Sequence, residues 1–157
     1  MSRSICGGRD LPSRREHRNR DSTRETVLVR WSPDDELGVA VIDQQHRRLA
    51  EMVNGLAMAV AAGEDTAQVQ AMLEDLARFT AHHFETEEDL MERYQTASAR
   101  THREQHRKLK DELAAIERQI DSSELSRTLS VINAWLLAHI RGADRELTRE
   151  LRSQGVR

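Results

Sequence analysis

Both prolines of this chain, Pro12 and Pro33, lie before residue 34, and none follows as far as Arg157. Proline breaks helices because it lacks an amide donor and clashes with the preceding turn. A long stretch without one, with apolar residues recurring every three or four positions, points to helices packed on one another. Composition agrees. Aromatic residues make up 3% of the 157, too few for a sandwich or barrel, whose strands favour aromatic and β-branched side chains. Hydrophobic residues are 38% and charged residues 32%, which suits amphipathic helices around one narrow core in a single domain. No apolar run approaches the ~18–20 residues of a membrane span.

Residues 1–26 stand apart. They hold seven Arg against four acids, and only Met1, Ile5, Cys6 and Leu11 are apolar. Such a segment cannot bury enough surface to offset its ordering entropy, so it reads as a disordered basic tail. Other readings are an arm for an anionic surface or nucleic acid, or a start assigned too early, with translation beginning near Val27 or Val29. The tail has no apolar stretch of the signal-peptide kind. A lone cysteine, Cys6, excludes an internal disulfide and a cysteine-based metal site, in keeping with a reducing, cytoplasmic setting. A net charge of −3 argues against nucleic acid as the main partner.

Residues 27–157 read as the folded unit. A first helix is expected from about Asp43, as N-cap, to just before Gly63, with Ile42, Leu49, Val53, Leu56 and Val60 inward. A second runs from Thr66 to Tyr94 on Val69, Met72, Leu73, Leu76, Phe79, Leu90 and Met91. A third runs from Ser98 to Ile120 on Leu109, Leu113, Ile116 and Ile120. The fourth opens with Asp121 and, three residues on, Glu124, a capping-box signal, and carries Leu125, Leu129, Ile132 and Leu136. Connections this short join antiparallel neighbours, so the expected fold is all-α: an up-down-up-down four-helix bundle. The segment around Val27–Val29 and Trp31 is expected to lie over it as an N-terminal arm.

Polar residues fill the gaps in these stripes. His46 continues the first, His83 and Glu87 the second, His102 and His106 the third, and His139 the fourth. They also share a level. His46 and His83 lie about 17 and 18 residues either side of the first connection, and His106 and His139 about 16 and 17 either side of the third. At ~1.5 Å of rise per residue, antiparallel helices bring them all to one end of the bundle. His83/Glu87 and His102/His106 are each one turn apart, so each pair reaches a common point. Six or seven buried polar groups at ~1–3 kcal/mol each would cancel much of a domain's ~5–15 kcal/mol of stability unless they shared a partner. A metal centre is the economical one. Five imidazoles and one or two carboxylates exceed what one ion accepts, and two bridged six-coordinate sites fit the count. Nitrogen and oxygen donors suit iron, with manganese, zinc or copper open on chemistry alone. Asp144, five residues beyond His139, lies about 140° around an ideal helix and is not selected by this reasoning. His17 in the tail and His82 on another face are read as solvated.

The stretches W-S-P-D-D-E-L-G-V from Trp31, I-D-Q-Q-H ending at His46, H-F-E-T-E-E from His83, H-R-E-Q-H from His102 and W-L-L-A-H-I-R-G-A-D from Trp135 to Asp144 resemble, in order and spacing, the hemerythrin family, in particular its single-domain bacterial members. The resemblance covers residues 30–151. It implies two iron ions with an oxo or hydroxo bridge. His102, His106 and His139 would hold one, His46 and His83 the other, and Glu87 and Asp144 would bridge them. That leaves one position open on the two-histidine iron, where O2 would bind. Its apolar lining would be Leu49, Trp135, Leu136 and Ile140. Thr96 and Ala97 stand where many relatives have Tyr-Pro, and Leu109 replaces a frequent Phe. These departures touch no ligand but bear on the stiffness of the connection before the third helix.

Reversible O2 binding, for carriage, storage or sensing and without enzymatic turnover, is therefore the first expectation. A di-iron oxidase or peroxidase is the alternative. Enzymes of the ferritin-like kind use carboxylate-rich sites, whereas this chain offers five histidines against two carboxylates.

Overall fold

The structure, a computed structural model, describes residues 29–157 apart from the backbone at 119–121 and the side chains at 119–127. The basic tail with Cys6 and His17, Val27, the side chains of Ile120 and Leu125, and the Asp121/Glu124 capping signal lie outside the described residues. The described residues are helical, without strands, and form a four-helix bundle. Helix α1 spans Ala40–Ala62, α2 Thr66–Arg93, α3 Ala99–Arg118 and α4 Ser122–His139. Helix α1 packs on α2 and α4, and α2 on α3. A π-helical turn, Ile140–Asp144, continues α4 into a short α5, Arg145–Ser153. The backbone stays right-handed helical across both junctions, at His139 (φ −65°, ψ −52°) and at Arg145 (φ −64°, ψ −36°).

Local chemistry places most of the ends. Gly63 closes α1 in the left-handed region at φ 73°, which only glycine adopts without a Cβ penalty. Asp65 caps α2, accepting from the amides of Ala67 at 2.8 Å and Gln68 at 3.0 Å. The start of α1 differs from expectation: it begins at Ala40, and Asp43 lies inside its first turn. Asp43 reaches backwards instead, accepting from Leu37 N–H at 2.7 Å and Gly38 N–H at 2.9 Å. Its carboxylate thus caps the incoming chain, and Val39, at the N-cap position, is fully buried.

The main core runs along Leu49, Val53, Leu56, Leu73, Leu76, Leu109, Leu113, Ile132 and Leu136. The arm straps onto it. Val29 exchanges two hydrogen bonds with the Asn54 side chain, its N–H donating at 2.7 Å and its carbonyl accepting at 3.0 Å, and Trp31 packs alongside. A second apolar cluster gathers Val39, Ile42 and Met91 with Leu147 and Leu151 of α5. No helix among the described residues is long and apolar enough to cross a membrane.

Candidate metal centre

His46 comes from α1, His83 and Glu87 from α2, His102 and His106 from α3, His139 from the end of α4 and Asp144 from the π turn. All seven are buried. Their ligand atoms fall into two sets, each with every atom within 4.8 Å of the others. One set is Glu87, His102, His106, His139 and Asp144; the other is His46, His83, Glu87 and Asp144. Both carboxylates belong to both sets, and their oxygens divide between the two. Asp144 Oδ1 faces His102 Nε2 and His139 Nε2 at 3.0 Å each, while Oδ2 faces His46 Nε2 at 3.1 Å. Glu87 Oε2 faces His106 Nε2 at 3.2 Å and His102 Nε2 at 3.4 Å, and Oε1 lies 3.8 Å from His83 Nε2.

Asp144, which helical periodicity passed over, arrives through the π turn. Hydrogen bonding from i to i+5 stacks residues five apart, so Asp144 lands on the inward face beneath His139. An ordinary α-helix would hold it about 140° away.

The outward nitrogens set the imidazole orientation. His83 Nδ1 lies 3.0 Å from Gln45 Oε1, His106 Nδ1 3.0 Å from Glu88 Oε1, and His139 Nδ1 3.1 Å from Gln105 Oε1. Against an acceptor oxygen each Nδ1 donates its proton, leaving the Nε2 lone pair aimed inward, as metal-ligating histidines require. Gln45 is held in turn by donating to Thr86 Oγ1 at 3.0 Å. Two rings are clamped by stacking: Phe84 on His106 with centroids 3.8 Å apart, and Trp135 on His139 at 4.7 Å. Sequence reasoning singled out none of Gln45, Glu88, Gln105 and Phe84. Their neighbours in sequence do point to them, since each is next to or one turn from a ligand candidate.

Electrostatically the cluster is incomplete without a cation. Burial opposes charge on Glu87, yet the facing imidazoles His102 and His106 pull its carboxyl down to about 2. Asp144, equally buried, is held well below the carboxylate range by His139, His102 and His46. Burial pushes His83 down to about 4, whereas at His102 burial is outweighed by the facing carboxylates of Asp144 and Glu87, which raise it to about 9. Even so, both oxygens of each carboxylate, His46 Nδ1 and Nε2 and His106 Nε2 have no hydrogen-bond partner. Each orphaned buried group costs ~1–3 kcal/mol or more when charged. His102 Nε2 and His139 Nε2 also converge to 3.2 Å, two inward nitrogens meeting at one point. Buried nitrogen and oxygen donors converging in this way fit cations.

A small cavity of about 20 Å³ adjoins His83, His139 and Asp144, with otherwise mostly aliphatic and aromatic walls. Leu49, Trp135 and Leu136 line it. Ile140, expected there, does not. It opens the π turn and is fully buried in the main core instead. Phe84 and Thr80 also form walls, and neither was anticipated. His82 is exposed and belongs to neither donor set.

A four-helix bundle enclosing five imidazoles and two carboxylates, with no sulfur in the set, defines a non-haem metal-binding protein. The Hemerythrin HHE cation binding domain matches residues 37–151, and the chain belongs to the hemerythrin family of non-haem iron-binding proteins. It is 33% identical to a bacteriohemerythrin of Stenotrophomonas maltophilia over 120 residues, covering 75% of this chain and 78% of that one. A bacteriohemerythrin of Pseudomonas aeruginosa is 32% identical over 118 residues, 73% and 75% of the two chains. A hemerythrin-like protein of Naegleria gruberi is 26% identical over 114 residues, 73% and 86%.

Proposed function

We propose that this chain binds O2 reversibly at two iron ions held by these seven residues. His102, His106 and His139 serve one ion, His46 and His83 the other, and Glu87 and Asp144 bridge them. The observation that carries the reading is the inequality of the two donor sets. They share both carboxylates, but one has three imidazoles and the other two. The two-imidazole side therefore keeps a position free for an exogenous ligand, and the apolar cavity reaches that side at His83, as it reaches the other at His139. Two ferrous ions, when bound, supply the electrons that O2 draws on and returns.

The surrounding residues favour return over turnover. Leu49, Trp135 and Leu136, with Phe84, keep water and protons away from the free position. An oxidase or peroxidase needs a group that delivers protons there. The Thr80 hydroxyl donates to the Leu76 carbonyl at 2.8 Å, so its proton is committed to the backbone. Carriage, storage and sensing all rest on the same reversible step.

The test is spectroscopic. Reduced, iron-loaded protein is exposed to O2, then degassed, over several cycles. Visible charge-transfer absorption that appears with O2 and vanishes on its removal, at one O2 per pair of irons, is the expected result. Release of hydrogen peroxide at every cycle, or catalytic consumption of an added reductant, would replace the carrier with the oxidase.

A further inference from the structure

The centre has a second, very different approach. Beside the π turn the surface opens into a cleft of about 550 Å³, walled by Ser98, Thr101, Gln105, Gly142, Ala143 and Glu146, with His102 among its walls. The walls are small and polar where those of the cavity on the other side are bulky and apolar. A Cβ placed on Gly142 would meet no atom within 4 Å, so the space over the π turn is open. His102 is only 2% exposed. Its Nε2 stands 3.0 Å from Asp144 Oδ1, while its Nδ1 is buried without a hydrogen-bond partner. Ser98, on the same wall, engages Glu150 through its amide at 3.2 Å and through its side chain. Gln105, on the same wall, already holds His139 through Nδ1.

We propose that this cleft is the route by which iron ions reach the centre, with Glu146 and Gln105 at its polar wall and His102 the first buried ligand met. The proposal rests on the metal reading above. A hydrated divalent cation sheds its waters stepwise and needs oxygen or nitrogen donors at each stage. The cleft offers a carboxylate, a side-chain amide and hydroxyls, then an imidazole with an uncommitted nitrogen. The cavity of about 20 Å³ holds about one water at most and offers a hydrated ion no comparable series. The carboxylates of Glu87 and Asp144 stand directly behind His102, 3.4 and 3.0 Å from its Nε2, and supply the attracting field, which a low-dielectric cleft focuses. The two approaches thus divide the traffic: ions by the polar side, a small apolar gas by the dry side.

Cobalt(II) serves as the probe, added to metal-free full-length protein and followed by its visible absorption on binding. Gly142→Leu and Thr101→Met narrow the cleft by different residues, and Thr101 is exposed on α3, so at least one variant keeps the fold. Each is expected to slow uptake roughly tenfold, the low end of what a focusing cleft contributes to an on-rate. Release to a chelator should slow by the same factor, with the final cobalt content unchanged. Glu146→Lys should slow uptake at low ionic strength and recover at high salt, whereas Glu51→Lys, the same charge change on α1, should not. Wild-type rates in both narrowed variants, or equal slowing by Glu51→Lys and Glu146→Lys, would overturn the route while leaving the centre intact. A wild-type protein that takes up no cobalt would remove the centre and the route together.

Discussion

Each carboxylate of the centre turns one oxygen towards each imidazole group, and that division makes single-atom changes costly. Glu87→Gln keeps the shape of the side chain but replaces one acceptor oxygen with an amide and removes its charge. His106→Ala leaves Glu87 Oε2 and Glu88 facing an empty space. Both are expected to lose iron and to cost about 3–5 kcal/mol, as when one partner of a buried ion pair is removed. His82→Ala should change neither, because His82 is exposed and outside both donor sets. Metal analysis with denaturant unfolding checks all three, and iron loss in His82→Ala with retention in His83→Ala would shift the register of α2.

Asp35 carries a pH signature of its own. Burial tends to raise its carboxyl, but hydrogen bonds from Arg141 at 2.9 Å and from Ser32 outweigh it and hold it below the ordinary value. A carboxyl lowered in the native state stabilises the fold in full above the unfolded pKa of about 3.9 and loses that contribution as pH falls through the native one. The stability gap between wild type and Asp35→Asn is therefore expected to be whole at pH 7, about 1 kcal/mol given the half-exposed Arg141, and to close in acid. A gap that widens as pH falls would contradict it.

At the level of elements, the π turn decides whether the fourth ligand helix completes the site. It adds one residue to a helical turn, so α5 resumes with Leu147 and Leu151 inward, where both are fully buried. Inserting an alanine after Gly142 would rotate Asp144 and α5 by about 100°, and should abolish metal retention and expose both leucines. Deleting Gly142 would turn the π turn into an α turn and leave Asp144 four residues after His139, again on the inward face. The deletion is thus expected to retain much more metal than the insertion. Equal loss in both would show that the width of the turn matters, and not its phase.

The connection between α2 and α3 shows a related compensation. Glu150 of α5 accepts from the amides of Ala97 at 2.6 Å and Ser98 at 3.2 Å, capping the start of α3 from a distant element. A carboxylate there satisfies orphan donors and complements the helix dipole. A proline at position 97 would lack the first of these donors. The Ala97 of this chain therefore ties the connection to α5, in place of the stiffness expected of Tyr-Pro.

Over the whole molecule, the centre sits between two apolar clusters. The main core lies to one side, and Val39, Ile42, Met91, Leu147 and Leu151 close the other. Under the proposed function, ions held by residues of five elements between these clusters would join them into one cooperative unit. Metal removal is therefore expected to lower the thermal midpoint of the full chain by about 5–10 °C. Ligand at a hundred times its Kd contributes ~2.7 kcal/mol, and each kcal/mol moves a domain of this size by about 2–4 °C. Calorimetry of loaded and chelator-treated protein checks this, and coincident midpoints would mean that the clusters hold together without the ions.

The polar gaps in the apolar stripes, at His46, His83, Glu87, His102, His106 and His139, were legible in the amino-acid sequence because helical phase and antiparallel pairing are local arithmetic. Spacing alone brings these residues to one face and one level. Three things lay beyond that arithmetic. Asp144 needed a π turn, whose single extra residue leaves no periodic trace. The closing cluster needed α5, extending α4, to pack against Val39 and Ile42, and Leu147 and Leu151 acquire a partner only in three dimensions. The positions of Gln45, Glu88 and Gln105 behind the imidazoles depend on which helix stands beside which. Phase along a helix is written in the chain itself, whereas contacts between helices are set by packing of the whole.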